Sequence, residues 1–206
     1  MFIAAIPASG ATTIDTQQYS IGQQYLSGRA IGQSFVVPAG SDTHLDSVTF
    51  RVGEYTPGTG NIDVHVSKWD PALRRPTGPL LYTSTNSMLT SNVTLTQHTV
   101  DTGDLPLTPG DPYIFMVCSM HHQGSVGRGL IVEMVGHASI DRYAPGQLYA
   151  FANATTFSSI YTLSAFPGDD AFGFNDMSMT MTFVPEPHLV GVVPLAVIAA
   201  RLKRRR

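Results

Sequence analysis

Short runs of alternating apolar and polar residues, separated by turns rich in proline and glycine, most constrain the fold of this chain. Between residues 62 and 67, Ile62, Val64 and Val66 alternate with polar side chains, and the same period of two recurs along the sequence. No window of 12–183 carries a convincing apolar stripe at helical spacing. Because a period of two places apolar side chains on one face of a strand, the pattern predicts an all-β protein.

The predicted strands are short and are spaced by roughly 10 to 20 residues, as in sandwiches and barrels. They are 33–37, 45–52, 62–66, 93–100, 113–117, 130–135, 147–152, 160–163 and 172–183. The run 113–117 is continuously apolar, which is typical of a central strand buried on both faces. The sequence therefore predicts a β-sandwich, of jelly-roll type, over residues 12–183.

The last predicted strand, 172–183, has two apolar sets of opposite parity. The first set is Phe172 and Phe174, and the second is Met177, Met179, Met181 and Phe183. A β-bulge near residues 175–176 would bring both sets onto the core.

Turn signals separate the strands. Residues 108–111 (TPGD) fit a type II turn, with proline second and glycine third, and residues 75–79 (RPTGP) also indicate a turn. By strand parity, His65 is expected to face solvent.

Composition excludes several classes of protein. The single cysteine, Cys118, excludes an intramolecular disulfide framework and a multi-cysteine zinc site. Residues 1–184 carry seven basic and fourteen acidic side chains, so the body is acidic. Broad binding to a phosphate backbone is therefore not expected, and no nucleic-acid partner is predicted.

The C-terminal residues 184–206 have three parts. Val184, Pro185, Glu186 and Pro187 come first, and an uncharged stretch at 189–200 follows. The chain ends with a basic tail, 201–206, that contains Arg201, Lys203, Arg204, Arg205 and Arg206. As a helix, 189–200 would be about 18 Å long, short of the bilayer core of about 30 Å. We expect a short membrane segment with the basic tail on the cytoplasmic side.

This order of parts resembles the PEP-CTERM sorting signal of exported bacterial proteins. The resemblance implies a partner, an exosortase, which would cut near the Pro-Glu-Pro motif after export and transient anchoring in the inner membrane. It also implies delivery to the cell surface or extracellular matrix, in systems that accompany exopolysaccharide production. Residues 1–11 resemble the remnant of a signal peptide with a truncated start.

The body is similar, more loosely, to domains found in front of such signals. The segments that carry this resemblance are 32–35 (GQSF), 45–50 (LDSVTF), 68–70 (KWD), 77–82 (TGPLLY), 107–110 (LTPG), 146–149 (GQLY) and 170–172 (DAF). The resemblance implies a β-sandwich exoprotein and carries no catalytic residues.

Candidate binding residues are few. Asp169, Asp170, Asn175 and Asp176 form the densest cluster of oxygen ligands, so calcium is a possible cofactor, and a turn followed by a bulge is the alternative interpretation. Trp69, the only tryptophan, could form a sugar platform with Tyr82 or Tyr55, or could instead cap the core.

No catalytic residue is predicted, because the sequence contains no serine-hydrolase, zincin, P-loop or dinucleotide motif. The first hypothesis is therefore a non-enzymatic surface or matrix protein. The alternatives are a carbohydrate-binding module associated with exopolysaccharide and, less favoured, a polysaccharide hydrolase.

Overall fold

The computed structural model describes residues 11–28, 30–40, 42–54, 59–84, 88–91, 94–120, 129–135, 141–167 and 176–186. The strands are β1 (Thr12–Asp15), β2 (Ser20–Gly28), β3 (Ala30–Val36), β4 (Asp42–Glu54), β5 (Thr59–Asp70), β6 (Arg75–Thr83), β7 (Met88–Ser91), β8 (Thr96–Pro106), β9 (Pro112–Cys118), β10 (Leu130–Val135), β11 (Leu148–Ala150), β12 (Phe166–Pro167), β13 (Asp176–Met177) and β14 (Met179–Pro185). Two short 3₁₀ helices, Gln17–Tyr19 and Phe157–Tyr161, complete the regular structure of these residues.

The strands form two antiparallel sheets, which confirms the predicted all-β sandwich. Sheet A contains β1, β2, β4, β8, β10, β13 and β14, and the long strand β4 pairs with β14, β8 and β10. Sheet B contains β3, β5, β6, β7, β9, β11 and β12, with β9 between β3 and β5. Successive strands β3, β4 and β5 alternate between the sheets, as do β8 to β11. This connectivity is jelly-roll-like.

The main core lies between the two inner faces. Four apolar side chains of β13 and β14 are fully buried there, as their alternation predicts, namely Met177, Met179, Met181 and Phe183. Aromatic contacts join the sheets, because Phe50 of sheet A meets Phe115 of sheet B with ring centroids 5.1 Å apart. Phe35 and Phe183 make a second contact of this kind, at 6.1 Å.

A second apolar cluster covers the outer face of sheet B. The chain from Phe151 to Ala165 contributes side chains that pack against Ile114, Met116 and Cys118 of β9. The run 113–117 is consequently buried on both faces, as predicted.

This second layer also buries a side chain that the sequence places in solvent. His65 is fully buried, and its ring centroid lies 4.6 Å from that of Phe157. The prediction that His65 faces solvent was therefore wrong. Strand parity correctly placed His65 on the outer face of sheet B, but it could not show that residues 151–165 cover that face.

Three other local predictions can be compared with the structure. The 108–111 turn is confirmed, because Gly110 has φ +79° and the Asp111 N–H donates to the Thr108 carbonyl at 3.2 Å. Residues 75–79 belong to strand β6, where register shifts and the φ of +71° at Gly78 accommodate the irregular sequence. Residues 160–163 do not form a strand, since the 3₁₀ helix Phe157–Tyr161 takes their place.

The predicted bulge of the last strand falls partly outside the described residues, as do Phe172 and Phe174. Within the described part, Ser178 separates β13, which pairs with β10, from β14, which pairs with β4. The Ser178 N–H donates to the Glu133 carbonyl at 2.8 Å.

The end of β14 contains Pro185, the first residue of the Pro-Glu-Pro motif. Val184 pairs with His44, and Pro185 pairs with Asp42. Glu186 follows the strand and is exposed. Pro187, the apolar stretch 189–200 and the basic tail 201–206 lie outside the described residues, as do residues 1–10. In the part of the chain that is described, no helix is long and apolar enough to cross a membrane.

Candidate functional site

A cleft of about 250 Å³ opens beside the second apolar cluster on sheet B. Its lining comes from 34–36 of β3, from Trp69 and Pro71 at the end of β5, from Pro112, from 144–147, and from Tyr149. Three of these contributions come from the segments 32–35, 68–70 and 146–149, which are among those that carry the resemblance described from the sequence. The fold therefore brings three segments that are distant in the sequence together around one concave site.

The aromatic part of the cleft is a packed pair and not an open platform. Trp69 and Tyr149 have ring centroids 4.5 Å apart with an interplanar angle of 48°, and they are only 4% and 6% exposed. Phe151 packs edge-on against Trp69 at 6.4 Å. The indole N–H of Trp69 is buried and donates no hydrogen bond to a described residue. These rings form a rigid apolar floor.

One wall of the cleft is the segment 141–147, which we call the wall loop. Its C-terminal end is tied to β3, because the Ser34 hydroxyl accepts a hydrogen bond from the Gln147 N–H at 2.9 Å. The Ser34 N–H donates to the Gln147 carbonyl, also at 2.9 Å. The approach is so close that a Cβ at Gly146 would collide with the Ser34 carbonyl oxygen. Glycine is therefore required at position 146.

The middle of the wall loop is tied to the same strand through Tyr143. The Tyr143 hydroxyl accepts a hydrogen bond from the Val36 N–H and donates to the Val36 carbonyl, both at 3.1 Å. Burial raises the pKa of this hydroxyl above its ordinary value, so it remains a neutral donor and acceptor.

The start of the wall loop is tied to sheet A through Asp176. Its carboxylate accepts the N–H groups of Arg142 and Tyr143 at 3.1 and 3.0 Å, and the amide of Gln33 at 3.0 Å. Burial raises the pKa of Asp176 to about 6, and the nearby charge of Asp141 acts in the same direction, while the N–H donors oppose the shift.

The described residues that line the cleft carry no charged side chain. Lys68, which directly precedes Trp69, forms an ion pair with Asp111 at 3.2 Å. Both side chains of this ion pair are exposed to solvent. The hydrogen bond that the Lys68 ammonium donates to Asp111 raises the pKa of Lys68. An uncharged cleft favours an uncharged ligand, because a charged one would be desolvated without a compensating partner.

The predicted sugar platform of Trp69 and Tyr82 is not formed, and Tyr55, the alternative partner, lies outside the described residues. Tyr82 packs against the main core and donates its hydroxyl to the Asp101 carbonyl at 2.9 Å, whereas Trp69 belongs to the second cluster. The two side chains therefore serve different layers of the sandwich. Tyr149, Gln147 and Ser34 were not selected as site residues from the sequence, and the only signal for them was the resemblance carried by 32–35 and 146–149.

The predicted calcium cluster is represented in the described residues by Asp176 alone. Asp169, Asp170 and Asn175 lie outside them. Asp176 is fully buried and its oxygens already accept three hydrogen bonds, so this carboxylate is not available as an open calcium ligand. Among the described residues, no group of three or more His, Cys, Asp or Glu side chains is placed to hold a metal ion.

Cys118 lies on the same covered face as Asp63 and His65, and it pairs directly with Asp63 in the β5–β9 register. This grouping does not create a nucleophile. Burial raises the pKa of the Cys118 thiol, and the charge of Asp63 raises it further. The thiol is consequently protonated at neutral pH and unreactive where it lies.

No protein-family model and no curated protein matches this chain. Among solved structures, one match contains the cysteine protease and lectin-like domains of a surface-layer-associated protein of Clostridium difficile. The TM-score is 0.51 at 13% identity, and the match covers 88% of this chain and 37% of the other. At this identity the likeness concerns the fold alone, and it agrees with the two-sheet β architecture.

Proposed function

We propose that this chain is an exported surface protein whose sandwich binds a neutral sugar unit of a polysaccharide in the cleft beside Trp69 and Tyr149. The observation that carries this proposal is the convergence of 32–35, 68–70 and 146–149 around one uncharged concave site. The structural likeness to a protein with a lectin-like domain supports it, because that protein is also associated with a cell-surface layer.

The chemistry of the lining suits a sugar. A hexose presents apolar C–H faces together with hydroxyl groups, and the lining of the cleft combines proline and aromatic residues with the polar residues Ser34 and Gln147. Its volume of about 250 Å³ lies below the range of about 300 to 1,000 Å³ that is usual for drug-sized ligands. The site would therefore accept about one ring, most simply a chain end or a single projecting unit.

The cleft supports binding without bond cleavage. The described residues that line it contribute no carboxylate, imidazole or thiol. Glycoside hydrolysis usually needs two carboxyl groups on either side of the scissile bond. A non-enzymatic role, which was the first hypothesis from the sequence, is therefore retained as part of the proposal.

Delivery to the surface would follow the route that the C-terminal resemblance implies. An exosortase would process the chain near Pro185, Glu186 and Pro187, after transient anchoring through 189–200. Because Val184 and Pro185 pair with β4, the folded domain would extend to the start of the Pro-Glu-Pro motif.

Sugar binding can be tested by filling the cleft. Ala144 lines it and is exposed, so Ala144→Trp should block the site without disturbing the core. Ala72 is an equally exposed turn alanine that is not part of the lining, and Ala72→Trp is the matched control. The probes are glucose-, galactose- and mannose-based tetrasaccharides, measured by titration calorimetry.

The expected result is binding of at least one probe by the wild type and by Ala72→Trp, with a loss of tenfold or more in Ala144→Trp. Absence of binding by the wild type to all neutral probes would refute the sugar-binding role and leave a purely structural surface role. Equal affinity in both variants would place the sugar elsewhere on the molecule.

Sorting is tested separately by mass spectrometry of the mature C-terminus from the native host. Peptides that end near residues 185–187, with the tail missing, would support processing. Bulk protein that retains Arg206 would refute it.

A further inference from the structure

The start of the wall loop is held in place from outside the cleft. Asp176 is fully buried in sheet A, and its Oδ2 accepts the N–H groups of Arg142 and Tyr143 at 3.1 and 3.0 Å. Neither Asp176 nor Arg142 lines the cleft. The Tyr143 N–H is shared with Asp141 Oδ1 at 2.9 Å, whereas the Arg142 N–H donates to Asp176. These hydrogen bonds position the backbone at the start of the loop whose later residues form the cleft wall.

Gln33 completes the attachment across the sandwich. Its Nε2 donates to Asp176 Oδ1 at 3.0 Å, and its Oε1 accepts the Met177 N–H at 2.8 Å. The orientation of the Gln33 amide is therefore set by one donor and one acceptor at the same time. Gln33 directly precedes Ser34, which forms the opposite side of the cleft.

The two sides of the cleft are thus joined through one buried polar pair. Asp176 holds the start of the wall loop, Gln33 holds Asp176 from β3, and β3 in turn binds the loop through Ser34 and Val36. A buried pair of this kind has few alternative partners, because any lost hydrogen bond leaves an unsatisfied polar group away from water.

We propose that Asp176 and Gln33 are positioning residues of the cleft, which set the geometry of the wall loop and hence the affinity for the ligand without touching it. This inference rests on the proposed function for its binding consequence. The placement of the loop itself is independent of any ligand.

The substitution Asp176→Asn keeps the size of the side chain and tests the hydrogen bonds that Asp176 accepts. An asparagine offers one oxygen and one NH₂ group, so it can serve the two N–H groups of the loop only if its NH₂ faces the NH₂ of Gln33. If Gln33 rotates its amide to avoid this, the Met177 N–H loses its acceptor. One hydrogen bond of the set is lost in either arrangement.

The double variant Gln33→Glu with Asp176→Asn repairs the mismatch. The new carboxylate at 33 can accept both the Met177 N–H and the asparagine NH₂, while the asparagine oxygen accepts the two N–H groups of the loop. Net charge and side-chain size are kept, and only the weaker contact from Gln33 Nε2 to the Ser34 carbonyl, at 3.3 Å, is lost. Rescue in the double variant is not expected if Asp176 matters only as a source of negative charge at its own position.

Two measurements on the full chain test the inference. Hydrogen–deuterium exchange follows the amide of Arg142, with the amides of β9 as an internal reference, because the Tyr143 N–H also donates to Asp141 Oδ1. Titration calorimetry uses the tetrasaccharide that binds the wild type. Asp176→Asn should lower protection of the Arg142 amide and weaken binding, each by tenfold or more, while β9 remains protected, and the double variant should recover most of both losses.

The inference is overturned if Asp176→Asn leaves loop protection at the wild-type level, or if the double variant folds but recovers neither protection nor binding. Loss of loop protection without any change in affinity would also overturn it, because the wall would then not set the binding geometry. Should Asp176→Asn fail to fold, recovery in the double variant still decides. If the wild type binds no sugar, the proposed function fails by itself and the exchange measurement still tests the positioning.

Discussion

The buried carboxyl group of Asp176 should make the stability of the sandwich depend on pH in an unusual direction. Burial raises its folded-state pKa from 3.8 to about 6. The folded protein therefore binds this proton more tightly than the unfolded chain does. The stability that this group contributes is fully present below pH 3.8 and is lost as the pH rises through about 6, the opposite of the usual behaviour of a salt-bridged aspartate.

The magnitude follows from the size of the shift. One pKa unit corresponds to about 1.4 kcal/mol, so a rise of roughly two units is equivalent to about 3 kcal/mol over the whole titration. Between about pH 4 and about pH 7, where most of the change falls, about 2 kcal/mol should be observable. Other carboxylates also titrate in this range, so the quantity to compare is the difference between the wild type and Asp176→Asn.

The assay is urea unfolding at a series of pH values, with an exposed aspartate as control. Asp104 is suitable, because its φ of +54° is one that asparagine tolerates well. The free energy of unfolding of the wild type, relative to Asp176→Asn, should fall by about 2 kcal/mol from about pH 4 to about pH 7. The same comparison with Asp104→Asn supplies the baseline for the loss of one exposed carboxylate, and the fall seen for Asp176→Asn is expected to exceed it. A relative stability that is flat or rises with pH would refute the reasoning.

Three further experiments, two substitutions and one labelling measurement, test the packing. Gly146→Ala should lower the free energy of unfolding by about 1 to 3 kcal/mol in urea titrations, because its Cβ collides with the Ser34 carbonyl, and no loss would show that the loop can move away. Phe183→Ala should lower it by about 3 to 5 kcal/mol, since the ring is fully buried against Phe35, and a loss below 1 kcal/mol would place the ring outside the core. Cys118 should resist a thiol reagent in the native state and react fully in urea, because burial raises the pKa of its thiol, and rapid native labelling would contradict this.

Much of the main core follows from the sequence because its strands obey simple periodicity. The alternation of Met177, Met179, Met181 and Phe183 predicts one buried face, and all four side chains are fully buried. The range 130–135 was predicted as a strand and coincides with β10. In such strands one face meets the core, and the hydrophobic pattern alone fixes which side chains point inward.

The second layer could not be predicted in the same way. The segment that covers sheet B contains a 3₁₀ helix and turns, and these have no period that a hydrophobic pattern could reveal. The outward-facing polar residues of β5 therefore looked like a solvent-exposed face, although His65 and Ser67 are fully buried. The Ser67 hydroxyl meets the Tyr161 hydroxyl at 2.8 Å, so the covering segment supplies a partner where water was expected.

The cleft depends on register, which explains why the predicted pair of aromatic residues was wrong. Two register shifts between β5 and β6 place Trp69 opposite Pro76, while Tyr82 lies opposite Val66 and packs against the main core. The partner that Trp69 does meet, Tyr149, follows it by 80 positions and comes from a three-residue strand. The wall loop leads into this strand, and its course is set by Gly146, which lies too close to β3 for any side chain, and by the carboxylate of Asp176, which is buried in the other sheet. Such a site is specified by backbone approach and buried hydrogen bonds, so its residues are recognisable only after the strands have been paired.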